Sequence, residues 1–119
     1  MRILLVLALV ACRGGGDGPP CSAVGGNFFV IAHGELEHAQ VDDQIRRAVT
    51  EQLPAMRDSL AQLCTDGAWA RAARECMVHA ADHAGLQVCE AQLTADQRAA
   101  LDDAERHTRT DGHRTDLAP

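Results

Sequence analysis

The feature that most constrains the fold is a set of apolar residues, between positions 41 and 63, that recurs every three or four positions. The set comprises Val41, Ile45, Val49, Leu53, Met56, Leu60 and Leu63. This spacing places the apolar side chains on one face of an α-helix, whereas a half-buried strand would need strict alternation. Asp42 and Asp43 suit the N-terminal end of that helix, where backbone N–H groups are free. Pro54 lies inside the run, and we expect it to kink or split the helix.

A first helix is predicted upstream of this stripe. Its apolar face consists of Cys21, Val24, Phe28, Ile31 and Leu36. The Gly25-Gly26 pair weakens it, because each glycine costs about 1 kcal/mol in a helix relative to alanine. Residues 28–31 alone would also suit a short strand, but no partner strand is evident elsewhere in the sequence, and we favour the helix.

Two more helices are expected downstream. The third runs from about Ala68 to Ala84, after a turn at residues 65–67; Asp66 is expected to cap it and Gly85 to end it. Its inner face is predicted to hold Trp69, Ala72, Ala73, Cys76, Ala80 and Ala84. The fourth is capped by Thr94 and runs from Ala95 to about His107, with Leu101 as its main apolar anchor. The sequence therefore predicts an all-α fold, a small antiparallel bundle of three to four helices over residues 21–107, with a polar flexible tail over residues 108–119.

The first eleven residues have the form of a secretory signal peptide. Arg2 supplies a positive charge, and the nine apolar residues 3–11 are too few to span a bilayer as a mature helix. The segment ends in Leu9-Val10-Ala11-Cys12, which resembles a lipobox. In lipoproteins with that motif the signal is removed before the cysteine, which carries the lipid. An ordinary secretory signal with an accidental cysteine, or a misassigned start codon, is the alternative.

Residues 12–20 are expected to form a lipidated cysteine followed by a flexible Gly/Pro tether. Several acyl chains on Cys12 would hold the chain on a membrane more firmly than a single chain could. Arg13 replaces the aspartate that signals inner-membrane retention. We therefore expect a protein exported to the cell envelope and anchored to the outer membrane, facing the periplasm.

Four cysteines remain after Cys12: Cys21, Cys64, Cys76 and Cys89. An even number in a small exported domain predicts two disulfides, which would reinforce a core poor in aromatic residues (3%). Antiparallel first and second helices would bring Cys21 near Cys64, and Cys76 and Cys89 flank the turn predicted at Gly85. A Cys64–Cys76 bridge is also physically possible, so the sequence leaves the pairing open.

A metal site is the alternative use of two of these cysteines. Cys76, His79 and His83 lie at i, i+3 and i+7 of the predicted third helix, and Cys89 follows soon after. Two thiolates and two imidazoles could hold a tetrahedral Zn²⁺, or the softer Cu(I). The spacing matches no strong zinc pattern, and an oxidising compartment favours the disulfide.

No group of residues in the sequence points to catalysis, a cofactor or nucleic acid. There is no Cys-x-x-Cys for thiol exchange, and residues 14–18 lack the lysine of a phosphate-binding loop. Two polar clusters look like solvated helix surfaces: His33 and His38 with Glu35 and Glu37, and the acidic set Asp102, Asp103 and Glu105. A net charge of −6 argues against nucleic-acid binding and against electrostatic docking on anionic lipid.

The spacing Cys-x4-Trp-x6-Cys-x12-Cys, from Cys64 through Trp69 and Cys76 to Cys89, is the most specific pattern in the chain. With the segments Leu53-Pro54-Ala55-Met56-Arg57 and Leu93-Thr94-x-x-Gln97-Arg98, it resembles small predicted lipoproteins of myxobacterial genomes. The likeness covers roughly residues 21–104 and implies a fold and an address, without an activity. Such sequences commonly have Trp-Ser where this chain has Trp69-Ala70, which removes a possible cap from the third helix.

These observations predict a non-enzymatic, membrane-tethered lipoprotein that acts as a structural or interaction module of the envelope. Its expected partners are the membrane, through the N-terminal lipid, and an envelope protein that the sequence does not identify. A periplasmic metal-binding lipoprotein, using His79, His83 and the nearby cysteines, is the alternative function.

Overall fold

The computed structural model describes residues 17–116, and the side chains among them as far as Thr110. Within this range the chain is all-α, with no strand. The helices are α1 (Cys21–His38), α2 (Asp43–Asp66), α3 (Arg71–His79), α4 (His83–Cys89) and α5 (Ala95–Asp116), with a 3₁₀ turn (Glu90–Gln92) after α4. The predicted all-α, disulfide-linked fold is confirmed, although five described helices replace the three to four expected. None of these helices combines the length and apolarity that crossing a membrane requires.

Helices α1 and α2 form the antiparallel pair on which the rest of the domain packs. Residues 28–31 are helical, as favoured over a strand. Val24 and Gly25 are fully covered, and a Cβ added to Gly25 would lie 2.6 Å from the carbonyl oxygen of Arg57. Only glycine therefore allows the two backbones to approach this closely. The same residue that weakens α1 as an isolated helix is required by its packing against α2.

Helix α2 begins as predicted and continues further than predicted. Asp42 is its N-cap and accepts from the backbone N–H of Ile45 at 2.9 Å. Pro54 lies within one continuous helix, so the chain is not split there. Asp66, expected to cap the third helix, is instead the last residue of α2, and its carboxylate accepts from Gln62 at 2.7 Å.

The apolar stripe of α2 is only partly covered. Leu53 is 2% exposed, and Leu60 and Leu63 pack against the core. Val41, predicted at the start of the stripe, precedes the N-cap Asp42 and lies outside α2, 36% exposed. Ile45, in the first turn of the helix, is 50% exposed. The periodicity thus predicted the helix correctly, but it overestimated how much of the stripe the other elements cover.

The predicted third helix is interrupted after His79. Residues 80–82 are not helical, and Asp82 starts α4 as its N-cap, accepting from the N–H of Gly85 at 2.8 Å. Gly85 therefore lies in the first turn of α4, and its predicted role as a C-terminal cap is wrong. The expected cap at the start of the third helix is also absent, because Ala70 occupies the N-cap of α3 and makes no side-chain bond.

The core lies where α3 and α4 meet the α1–α2 pair. Its buried members include Val24, Ile31, Cys64, Trp69, Ala73, Met77, Leu86, Cys89, Leu93 and Leu101. Of the inner face predicted for the third helix, Trp69 and Ala73 are buried and Cys76 and Ala80 pack against the core. Ala72 and Ala84 are exposed. Ala84 lies beyond the interruption after His79, which changes the helical phase, whereas Ala72 precedes it and lies off the buried face of α3 that holds Ala73 and Met77.

Helix α5 begins at the predicted cap. Thr94 and Gln97 form two reciprocal hydrogen bonds. The backbone N–H of Thr94 donates to the side chain of Gln97 at 2.9 Å, and the backbone N–H of Gln97 donates to the hydroxyl of Thr94 at 3.2 Å. Leu101 is buried, as expected for the main anchor of this helix. The helix does not end near His107: residues 108–116, expected as a frayed tail, continue it to Asp116.

Candidate functional site

A groove of about 480 Å³ opens between α2, α4 and α5, a volume within the range of ligand-binding clefts. Its apolar lining includes Phe28, Met56, Leu60, Leu63, Leu86 and Leu101. Helix α5 contributes one wall, and the C-terminal half of α2 contributes the other. Helix α5 packs mainly on α2, with Leu101 as its buried residue.

Three carboxylates line the α4–α5 side of the groove: Glu90, Asp102 and Glu105. The pKa of Glu90 is raised above its usual value of 4.5, first by partial burial and then by repulsion from Glu105 and Asp102. His83 and Arg98 oppose this shift. The three side chains are therefore close enough to influence one another electrostatically.

Positive charge in the groove is sparse. The basic residues of the described lining are Arg109 and His83, and His83 lies at the start of α4. Among the described residues, none of the ion pairs includes Glu90, Asp102 or Glu105. The groove thus combines an apolar lining with a carboxylate side that forms no ion pair with the side chains described up to Thr110.

Both predicted disulfides are present. Cys21 pairs with Cys64 and Cys76 pairs with Cys89, with Cα–Cα distances of 5.6 Å in each. The first bridge ties the start of α1 to the end of α2. The second spans the α3–α4 interruption. Because Cys76 pairs with Cys89, the Cys64–Cys76 pairing that the sequence left open is excluded.

The residues of the alternative metal site are positioned around the second bridge. Both sulfurs of Cys76 and Cys89 are in the disulfide and supply no thiolate. The exposed ring of His79 contacts the carbonyl of Glu75 at 2.7 Å, and His83 is exposed at the start of α4. No cluster of three or more histidine, cysteine or acidic side chains suited to a metal ion occurs in residues 17–110.

The other polar cluster singled out in the sequence lies around the end of α1. His33 and Glu37 form an exposed pair at 3.5 Å. His38 contacts the carbonyl of Gly34 at 2.8 Å, within the same helix. Glu35 accepts from the backbone N–H of His83 at 3.1 Å, which links α1 to α4. This cluster is a helix end, with one carboxylate used for packing.

The end of the predicted tether is fixed to the domain by a buried arginine. Arg74, which is 9% exposed, donates to the carbonyls of Asp17 (3.0 Å), Pro19 (2.5 Å) and Trp69 (3.1 Å). Three carbonyl dipoles compensate the charge of one guanidinium. The predicted signal peptide, Cys12 and the first three glycines of the predicted tether (residues 14–16) lie outside the described residues.

The groove was missed in the sequence because its parts looked like ordinary surface. The sequence predicts one exposed acidic face for Asp102, Asp103 and Glu105, and all three are exposed. In the structure Asp103 pairs with Arg106 and His107, whereas Asp102 and Glu105 face the groove. Asp102 and Glu105 are at i and i+3, and the buried anchor Leu101 is at i−4 from Glu105, so the available signal was that the three lie on one side of the helix. Glu90 carried no local signal, because the 3₁₀ turn that positions it was not predicted.

The fold and site define a small, disulfide-linked, all-α domain with an open acidic groove. No family model, curated protein or solved structure matches the chain.

Proposed function

We propose that the protein is a non-enzymatic interaction module of the cell envelope, anchored to the membrane by lipid on Cys12 and binding a partner through the α2–α4–α5 groove. The observation that carries the proposal is the groove itself, which joins an apolar lining to three carboxylates, Glu90, Asp102 and Glu105. Apolar side chains that stay open to water contribute little to the stability of the fold. A concave apolar surface with polar groups at its edge is therefore typical of a binding site.

The export and anchoring part of the proposal draws on the sequence and on the cysteines. Leu9-Val10-Ala11-Cys12 resembles a lipobox. Two disulfides within one small domain are typical of proteins from oxidising compartments. The anchor and the disulfides therefore favour the same location, outside the cytoplasm.

The bond between Arg74 and the chain near Asp17 limits how far the domain would stand from the membrane. Five residue steps separate Cys12 from Asp17. At about 3.6 Å per residue the two are at most about 18 Å apart. A lipid on Cys12 would therefore hold the domain close to the bilayer.

Membrane partition of the full chain and of Cys12→Ser tests the anchor. We expect the native chain to sediment with membranes after a high-salt wash and to dissolve in detergent, with a mass that shows acylation at Cys12. Cys12→Ser should move to the soluble exported fraction. Arg13→Ser is the matched control, because it changes the adjacent residue and leaves the lipobox intact; it should stay with the membranes. Equal membrane binding by Cys12→Ser and the native chain would contradict the anchor.

A further inference from the structure

We infer that the groove takes a basic, amphipathic helical segment of a partner protein, whose apolar side chains fill the lining while a lysine or arginine meets Glu90, Asp102 and Glu105. The inference rests on the proposed function, since it names the chemistry of that module's partner. It does not depend on the lipid anchor.

Charge complementarity selects a cationic occupant. Three of the lining residues are carboxylates, against one arginine and one histidine, and no ion pair of the described residues neutralises them. Any occupant that excludes water from the groove removes solvation from these carboxylates. A neutral segment would leave them without partners, and an acidic segment would add repulsion, whereas a lysine or arginine would pair with them.

The same argument disfavours a second copy of this chain. The chain carries a net charge of −6, and the groove is one of its acidic surfaces. Two copies brought together through this face would set carboxylates against a like-charged surface. The occupant is therefore a different, basic chain.

The dimensions of the groove fit a helix of a few turns. Its lining on α2 extends from Met56 to Leu63, and its lining on α5 extends from Leu101 to Arg109. At 1.5 Å per residue each wall is about 10–12 Å long, which is about two helical turns. A helix lying between such walls presents anchors at i, i+3 or i+4, and i+7 on one face. Basic residues flanking that face would reach the carboxylates on the α4–α5 side.

The test is binding of the full, disulfide-bonded chain to fluorescein-labelled 16-residue peptides, in a mild detergent that keeps the chain dissolved whether or not Cys12 carries a lipid. Peptides are selected from a random 16-residue display library on that chain, with bare support in the same detergent used for counter-selection. We expect the selected peptides to have apolar residues at helical spacing and to be rich in lysine or arginine. Replacing those lysines and arginines by glutamate should abolish binding, seen as loss of fluorescence anisotropy.

Matched variants locate the binding surface. The double variant Asp102→Asn/Glu105→Gln should weaken the selected peptides at least tenfold. Asp103→Asn removes a carboxylate from the same helix outside the groove lining, and should leave the affinity within about twofold. Ala104→Trp, which fills the groove, should block binding, whereas Ala100→Trp on the exposed face of α5 should not.

Three results would overturn the inference. One is enrichment of acidic or uncharged peptides, and another is equal loss of affinity in Asp103→Asn and the double variant. The third is a failure to enrich any peptide. If octylammonium then binds, and its binding depends on Asp102 and Glu105, the groove is a site for small amphipathic amines instead. Each result leaves the Cys12 partition experiment unaffected, so failure of the partner and failure of the anchor are distinguishable.

Discussion

The side-chain amide of Asn27, in the middle of α1, donates to the carbonyl of Met77 near the end of α3, at 2.7 Å. The same amide donates to the carbonyl of Ala80 at 3.0 Å. These carbonyls have no intrahelical partner, because the helix stops after His79. From the other side Glu35, also on α1, accepts from the N–H of His83 at the start of α4. Helix α1 thus forms side-chain hydrogen bonds with the backbone on both sides of the α3–α4 interruption.

Replacing Asn27 should destabilise the domain through those carbonyls. We expect Asn27→Ala to lower the free energy of unfolding by about 1–3 kcal/mol, because partly buried acceptors lose their donor. Asn27→Asp should be at least as damaging, since a carboxylate near neutral pH cannot donate and repels the carbonyls. Equilibrium denaturation without reductant measures both. Ser22→Ala, on an exposed position of the same helix, is the control and should change stability by less than about 0.5 kcal/mol. An effect of Asn27→Ala no larger than that would contradict the role assigned to the amide.

Adjacent glycines of α1 should respond to alanine in opposite directions. A methyl group on Gly25 would meet the carbonyl of Arg57 at 2.6 Å, so Gly25→Ala must separate α1 from α2 and should cost about 1–3 kcal/mol. Gly26 has nothing within 4 Å of an added Cβ, and Gly26→Ala should stabilise by up to about 1 kcal/mol through helix propensity. Thermal unfolding of the two variants provides the comparison. Similar shifts of the same sign would show that helix propensity, and not the close approach, governs both positions.

The start of α3 should accept a better cap. Ala70 has the extended backbone of an N-cap (φ −60°, ψ 151°) but no side-chain bond to offer. Ala70→Ser supplies a hydroxyl for a free N–H of the first turn and should raise the free energy of unfolding by about 1 kcal/mol. Ala72→Ser, exposed inside α3, is the control and should give a small loss, because serine is a poorer helix former than alanine. A loss of stability in both variants would mean that the cap does not form.

The helices and disulfides that could be predicted from the sequence depend on local patterns of residues. The three-to-four spacing along α2 indicated a helix, Asp42 and Thr94 indicated the starts of α2 and α5, and an even cysteine count indicated two bridges. Each of these signals lies within a few residues of the structure that it specifies. They establish the all-α fold and most of its helix starts.

The parts that were not predicted depend on contacts between distant residues. The helix stops after His79 without a proline or glycine in residues 80–82, and its free carbonyls are satisfied by Asn27, about fifty positions upstream. Arg74 would ordinarily be assigned to the surface of α3, yet it is buried because backbone carbonyls around residues 17–19 surround it. The groove has the same origin, since Glu90 comes to share a lining with Asp102 and Glu105 only when α5 packs on α2.

The two disulfides should differ in what their loss costs. Cross-linking residues 43 positions apart restricts the unfolded chain more than cross-linking residues 13 positions apart. The chain-entropy relation gives about 4 kcal/mol for Cys21–Cys64 and about 3 kcal/mol for Cys76–Cys89. Double alanine variants are made, one for each bridge. The variant without Cys21–Cys64 should therefore unfold at a lower denaturant concentration than the variant without Cys76–Cys89.

Intact mass after thiol alkylation without reductant checks the premise: no cysteine of the native domain should be modified. Alkylation of Cys76 and Cys89, with a metal in the purified protein, would instead favour the metal-binding alternative.

Glu90 should give the domain a pH dependence that a surface carboxylate lacks. Its pKa in the folded state is raised above 4.5, mainly by burial and then by Glu105 and Asp102. The folded state therefore binds this proton more tightly than the unfolded state, and stability contributed by Glu90 falls as pH rises through the raised pKa. Glu90→Gln should melt at a higher temperature than the native chain at about pH 7. That gain should disappear below the usual pKa of 4.5, where Glu90 becomes protonated in both states.

Glu75 provides a control of opposite sign. Its pKa is lowered, first by the hydrogen bond from Arg71 at 2.8 Å and then by the charge of that arginine. Ionised Glu75 is therefore favoured by folding, and Glu75→Gln should lower the melting temperature slightly near neutral pH, with the difference again lost on acidification. Both carboxylates belong to the same domain, so a general effect of net charge would shift the two variants in the same direction. Opposite shifts would assign the Glu90 effect to its burial beside two carboxylates, and that unfavourable charge is what a cationic partner in the groove would relieve.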